Sequence, residues 1–292
     1  MGNGVLPSCA SVDGGIHEHW AEVEGHRMRF LHGGSGPPLL LIHGLLGYSF
    51  SWRFNLATLA QKATVFAPDL LGTGFSERVP GLDCSMAASA GRLLPFLQEQ
   101  GIESFDLLGT SHGGAIAMVL AAIAADAKLS IRRLILVDAA NPWSHPRPVL
   151  INMLSRPVGA ALFRALLPAM NLTHEHYLRR MYGDPQRISP GTLAGYSAPL
   201  AAPGTFEYPL SIVRCWREDM RKLKTALPKI ADIPTLLIWG SRDRVIPVSS
   251  AGPLQRQFRN SKLIVMEGAG HLPYEETPEE FNRAVLEFLE AD

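Results

Sequence analysis

Three side chains in this sequence have the types that nucleophilic hydrolysis requires: an alcohol at Ser111, a carboxylate at Asp243 and an imidazole at His271. A serine hydroxyl is a poor nucleophile until a base takes its proton, and imidazole titrates near neutral pH. A carboxylate on the far side of the ring fixes its tautomer and stabilises the imidazolium that forms. Ser111 sits in Gly109-Thr110-Ser111-His112-Gly113, a match to G-x-S-x-G. Five residues alone are a weak signal; their setting gives them weight. An apolar run, Phe105 to Leu108, precedes them, and a small-residue helical pattern (Ala115, Ala117, Ala121, Ala122) follows. A strand turning sharply into a helix holds the serine at its tip, and glycines at 109 and 113 let the two elements approach closely.

The helix N-terminus leaves N–H groups unpaired, and these favour a developing oxyanion. The backbone N–H of His112 is one expected donor. The other is the N–H of Leu45, in His43-Gly44-Leu45-Leu46-Gly47 at the end of the apolar run 39–42. His43 and Gly44 are placed at the substrate pocket, His43 as a support for the loop beneath the oxyanion hole, and the ring of His112 lines the pocket. Asp138 is the rival acid, because it too ends a strand. Asp69 reads as a structural turn carboxylate. His32-Gly33-Gly34 has the look of an oxyanion loop, but it precedes its strand and is set aside.

The elements that must position these groups alternate. Residues 18–32 read as a hairpin about Glu24-Gly25, in which Met28 and Phe30 alternate with Arg27, Arg29 and Leu31. Runs at 39–42, 64–67, 105–108, 133–138, 235–239 and 262–266 read as strands, and the fully apolar 39–42 has the texture of a parallel-sheet strand covered on both faces. Helical patterns cover 51–60, 86–100 with a break or kink at Pro95, the segment after Gly113, 250–258 and 277–289. Alternation of this kind is α/β. Asp243 and His271 then fall just beyond two late strands, on the same rim as Ser111.

Residues 141–230 break the alternation, with helical spacing and no clear strand, and helices are expected over 149–182 and 210–227. The division is a core of 1–140 and 231–292, with 1–15 as a loose tail, and a helical cap of 141–230. The cap carries twelve basic against five acidic residues, which fits a solvated surface facing an acidic core, or steering of substrate. Trp143, Phe206, Tyr208 and Trp216 in the cap, with Leu272, are the candidate pocket walls.

Composition removes other classes. Formal net charge is zero, so no global field draws the chain to nucleic acid. No apolar run reaches the roughly 18 residues of a membrane span. Cys9, Cys84 and Cys215 are too few and too scattered for a disulfide framework, and a cytoplasmic location is expected. Gly72-Thr73-Gly74 lacks the third glycine and the helix of a dinucleotide site. His17-x-His19 and His174-x-His176 lack a third ligand, so neither cofactor nor metal is expected.

The stretches LLLIHGLLG (39–47), APDLLGTGFS (67–76), LLGTSHGG (107–114), LLIWGSRDRVIP (236–247) and GAGHLPYEETPEEF (268–281) resemble the α/β-hydrolase superfamily in its helically capped branch. The resemblance implies a mostly parallel central sheet flanked by helices, an inserted helical cap, and the triad order Ser, Asp, His. Dehalogenases and epoxide hydrolases of that branch use Asp at the elbow, where this chain has Ser111. Its C–C bond hydrolases tend to carry Asn before the nucleophile and Trp after the histidine, where this chain has Thr110 and Leu272. The resemblance therefore implies a serine hydrolase of small or medium carboxylic esters. C–C cleavage of a vinylogous diketone, and a triad-bearing small-molecule receptor, stay open as alternatives.

Overall fold

The structure is a computed structural model and describes residues 14–144 and 171–291. The N-terminal tail up to residue 13, and the part of the expected 149–182 helix before residue 171, lie outside the described residues.

Eight strands form one sheet: β1 (Ile16–Val23), β2 (His26–Gly34), β3 (Pro38–Ile42), β4 (Thr64–Pro68), β5 (Ser104–Thr110), β6 (Ser130–Val137), β7 (Thr235–Gly240) and β8 (Ser261–Met266). Their spatial order is β1-β2-β4-β3-β5-β6-β7-β8. The β1–β2 and β2–β4 pairs are antiparallel; every later pair is parallel. Gly34 pairs with Thr64, the first residue of β4, so His32-Gly33-Gly34 is the end of strand β2 and lies at the rim opposite the parallel strands' carboxyl ends.

Nine α-helices are described: α1 (Leu56–Leu59), α2 (Met86–Glu99), α3 (Ser111–Ala124), α4 (Asn171–Met181), α5 (Thr192–Ser197), α6 (Glu207–Ala226), α7 (Ala251–Gln255), α8 (Pro273–Glu276) and α9 (Pro278–Glu290). The central strands alternate between two apolar layers. Leu40, Ile42, Leu134, Leu136, Leu237 and Trp239 join α2 and α3 on one face. Leu39, Leu41, Ile135, Val137, Leu236 and Ile238 join α1 and α9 on the other. Burial on both faces is why these strands read as unbroken apolar runs. At about 1.5–3 kcal/mol per buried Leu, Ile or Val, this double layer is the main support of the rim above it.

Some local expectations need correction. The expected helix 51–60 is a single 3-10 turn, Ser49–Trp52, followed by the one-turn α1. Pro95 does not interrupt α2. It forgoes one helical hydrogen bond, while Leu93, Phe96 and Leu97 bury the helix against the sheet. Helix α7 stops at Gln255, short of the expected 258. Arg29, which alternates with Met28 and Phe30 along β2, is itself only 1% exposed. It gives Nη1 to Asp69 Oδ2 at 3.1 Å and Nε to Glu18 at 2.7 Å, so a buried ion pair replaces solvent. Asp69 also accepts from the N–H groups of Ser49 and Phe75, at 2.8 and 2.9 Å, and is a turn carboxylate.

Between β6 and β7 every described element is helical, in agreement with an inserted cap. Helix α6 runs Glu207–Ala226, three residues earlier than expected at its start, and α5 is an additional short helix.

Candidate active site

At the end of β5 the chain enters α3 with Ser111 itself as the first helical residue, at φ +52. A non-glycine residue held in the left-handed region is strained, and such strain concentrates at working sites. The surroundings enforce it. A Cβ at Gly109 would collide with the carbonyl of Gly113, and one at Gly113 would collide with the carbonyls of Ile42 and His43. The N–H of Ala140, after β6, donates to the Ser111 carbonyl at 2.9 Å. Strand, helix and neighbouring loop thus fix the elbow through backbone contacts.

The loops after β7 and β8 meet it. The Ser111 hydroxyl donates to His271 Nε2 at 2.9 Å, and His271 Nδ1–H donates to Asp243 Oδ2 at 2.8 Å. Asp243 Oδ1 accepts from the N–H groups of Val245 and Ile246, at 2.7 and 3.0 Å. The N–H of Arg242 donates to the Ala269 carbonyl at 2.9 Å, tying the acid loop to the histidine loop. Asp243 and His271 are buried. Because β5, β6, β7 and β8 are consecutive in the sheet, their carboxyl ends bring residues 111, 138, 243 and 271 to one rim.

Opposite Ser111 lies the 44–47 turn, closed by Gly47 N–H donating to the Gly44 carbonyl at 3.0 Å. A Cβ at Gly44 would stand 3.1 Å from the Ser111 Cβ, a tight contact that glycine avoids where this backbone comes near the hydroxyl. His43 holds the turn from behind. Its Nε2 accepts from Leu70 N–H at 3.1 Å, which leaves Nδ1–H to donate to the Gly44 carbonyl at 2.8 Å. Burial lowers the pKa of His43, in keeping with a neutral ring. His112 contributes its position at the first turn of α3. Its ring is buried with neither nitrogen hydrogen-bonded, and burial pushes its pKa down to about 3.

A cavity opens on Ser111 and His271. Gly44, Leu45 and Leu46 form one wall; Leu178, Met181 and Tyr196 from the cap, with Leu272 and Tyr274, form the other. Several expectations are corrected here. The His43 ring, the His112 ring, Trp143, Phe206, Tyr208 and Trp216 do not line this cavity; Gly44, Leu45 and Leu272 do. Tyr208 is buried with Cys84 and Ile212 in a separate cluster. Trp216 stacks on the His112 ring at 6.3 Å between centroids. Trp143 is half-buried against the main core.

Sequence reasoning missed the joint that brings the cap wall here. Glu275 accepts from Tyr182 Oη at 2.5 Å, from the Tyr196 hydroxyl, and from Arg53 Nη2 at 2.6 Å. Glu276 accepts from the N–H groups of Gly183 and Gly270, at 2.9 and 2.6 Å. The N–H of His271 donates to the Met181 carbonyl at 2.7 Å. The adjacent acids in Pro273-Tyr274-Glu275-Glu276, just after the histidine, were the one available sequence signal.

One carboxylate oxygen each from Asp138 and Asp243 lies within 4.8 Å of the other and of a His271 nitrogen, a spacing a cation could use. His271 spends both ring nitrogens on Ser111 and Asp243, so it presents no lone pair to a metal there.

Residues 37–278 match the family described as alpha/beta hydrolase fold. An uncharacterized protein of Mycobacterium tuberculosis is 32% identical over 279 residues, covering 92% of this chain and 80% of its own. Haloalkane dehalogenase 2 of the same species is 29% identical over 286 residues, covering 93% and 94%. The crystal structure of Cfl2 from Burkholderia cenocepacia superposes with a TM-score of 0.83 at 23% identity, over 94% and 96% of the two chains, and shares the fold.

Proposed function

Since the chain belongs to the alpha/beta hydrolase fold family, we propose that it is a serine hydrolase that cleaves carboxylic esters of small or medium size through an acyl-enzyme on Ser111. The observation that carries this reading is the unbroken hydrogen-bond succession from the Ser111 hydroxyl through His271 to Asp243. Haloalkane dehalogenase 2 is a relative by sequence, but dehalogenation in this branch proceeds from an elbow aspartate. An alcohol at that position forms an acyl ester instead.

The steps follow from the residues. His271 Nε2 takes the Ser111 proton as Oγ attacks the ester carbonyl. The N–H groups of Leu45 and His112 hold the oxyanion, each worth about 10²–10³ in rate. His271 then gives the proton to the leaving alcohol, and water repeats the sequence on the acyl-enzyme. The aliphatic lining from Leu45, Leu46, Leu178, Met181 and Leu272, with the rings of Tyr196 and Tyr274, suits an apolar acyl or alcohol group.

The experiment is hydrolysis of p-nitrophenyl esters of graded chain length by the parent and by Ser111→Ala. The parent turns over and the variant, folded by circular dichroism, does not. Equal turnover by the two would remove Ser111 from the chemistry. Depletion of a vinylogous diketone with no ester turnover would reassign the same triad to C–C cleavage. Turnover limited to about one event per molecule, with ligand-dependent partner capture, would indicate a receptor.

A further inference from the structure

Asp138 is a second acid at this rim, and the steps above leave it without a task. It follows β6 directly and adopts φ +43, a strained conformation for a non-glycine residue. It is 0% exposed. Its N–H donates to the Ile238 carbonyl at 2.9 Å, and its Oδ1 accepts from Gly240 N–H at 3.0 Å. Its Oδ2 is buried and receives no N–H or O–H. Asp243, which brings a carboxylate oxygen within 4.8 Å of one of Asp138, already takes N–H donors on both oxygens. The titratable groups that act on Asp138 are Asp243, Glu276 and Tyr274, with His271 beyond Asp243. Among the described residues no arginine or lysine pairs with it.

Two carboxyl oxygens that face each other away from water hold together only with a proton between them. Asp243 has no oxygen free of N–H donors, whereas Asp138 Oδ2 is free. We propose that Asp138 carries a proton on Oδ2 and donates it to Asp243, and that this neutral acid is a positioning residue for the Asp243–His271 pair. Burial and the nearby Asp243 both push the Asp138 carboxyl well above the usual carboxylate range.

The consequence concerns the base. One negative charge beside His271 stabilises the imidazolium formed during reaction. A second, from ionised Asp138, would hold His271 protonated at rest and stop it accepting from Ser111. The proton on Asp138 therefore keeps the base available and turns the Asp243 carboxylate toward the ring. The location of this proton stands by itself; the positioning role rests on the hydrolase reading above.

Asp138→Asn tests both parts, because its amide can accept from Gly240 and donate to Asp243. Infrared difference spectra of parent and variant at pH 7 should show a carboxylic-acid carbonyl band in the parent alone. Thermal unfolding gives a second arm that needs no turnover. In the folded chain Asp138 stays protonated, while unfolded it ionises above the ordinary value of 3.8. Its stabilising contribution is complete below that pH and is lost as pH rises toward the folded value. The Tm of Asp138→Asn minus that of the parent should therefore grow from acid to neutral pH. In ester hydrolysis Asp138→Asn should lower kcat about two- to threefold and leave the acid limb of the kcat/KM profile in place, with Asp138→Ala losing about tenfold. An acid limb displaced by a pH unit in Asp138→Asn, a Tm difference independent of pH, or no lost carbonyl band would each overturn the proposal.

Discussion

The elbow at Ser111 and the joint between Glu275, Glu276 and the cap both shape the same cavity, yet they are held in opposite ways. Around Ser111 the restraint is backbone against backbone: Gly109 and Gly113 admit neighbouring carbonyls, and Ala140 N–H clamps the Ser111 carbonyl. No side-chain charge takes part. The joint relies on two buried acids that gather phenols, a guanidinium and peptide N–H groups from segments far apart in the chain. Close packing of that first kind is indifferent to pH and tolerates almost no added volume. A buried polar knot is cooperative, and losing one member leaves the others uncompensated.

Substitution should separate the two regions. The largest expected effect lies at the rim: Asp243→Asn should lower kcat by about 10³–10⁴-fold by releasing the His271 tautomer. Its urea midpoint should change little, because the amide oxygen can still accept from Val245 and Ile246. A comparable loss of kcat in Asp138→Asn, with Asp243→Asn mild, would exchange the roles of the two acids. Next is the joint. Glu275→Ala strands Arg53 and the hydroxyls of Tyr182 and Tyr196, and should cost about 3–5 kcal/mol in urea unfolding. Because Tyr196 forms a cavity wall, KM should rise more than kcat falls. A stability loss under 1 kcal/mol would show that the joint holds nothing.

The smallest effect concerns the ring beneath the elbow. His112 is pushed down to about 3 in the folded chain, against an ordinary 6.5. Its contribution to stability is therefore complete above 6.5 and is lost as pH falls toward 3. Between pH 6.5 and 5 the loss should be about 2 kcal/mol. His112→Met should flatten that acid slope in a Tm series while leaving the neutral-pH chemistry of the first turn of α3 in place. An unchanged slope would place the acid sensitivity elsewhere, with His43 the next candidate.

The same contrast governs what the sequence reveals. The elbow is local: five residues, two glycines and the apolar run before them encode a strand-to-helix turn with no distant partner needed. Asp243 and His271 are legible because each lies in the short loop after a strand whose type is plain from its apolar residues. The cap wall is not. Helical spacing marks Tyr208 and Trp216 as lying on an apolar face, but spacing cannot say what that face meets. They meet Cys84 and the His112 ring and do not line the cavity at Ser111. Arg29 and Glu275 look like surface charges until their partners are known, since burial of a charge depends on residues tens or hundreds of positions away. Asp138 was visible as a strand-end acid; that it faces Asp243 depends on β6 and β7 being neighbours, which only the sheet order supplies.

The central claim is that Ser111 is a nucleophile made so by His271. The direct measurement is intact mass after exposure to an activated p-nitrophenyl phosphonate, followed by peptide mapping. One phosphonyl group per chain on Ser111, absent from Ser111→Ala and from His271→Ala, is the expected result. An unmodified Ser111 in protein that still cleaves esters would contradict it.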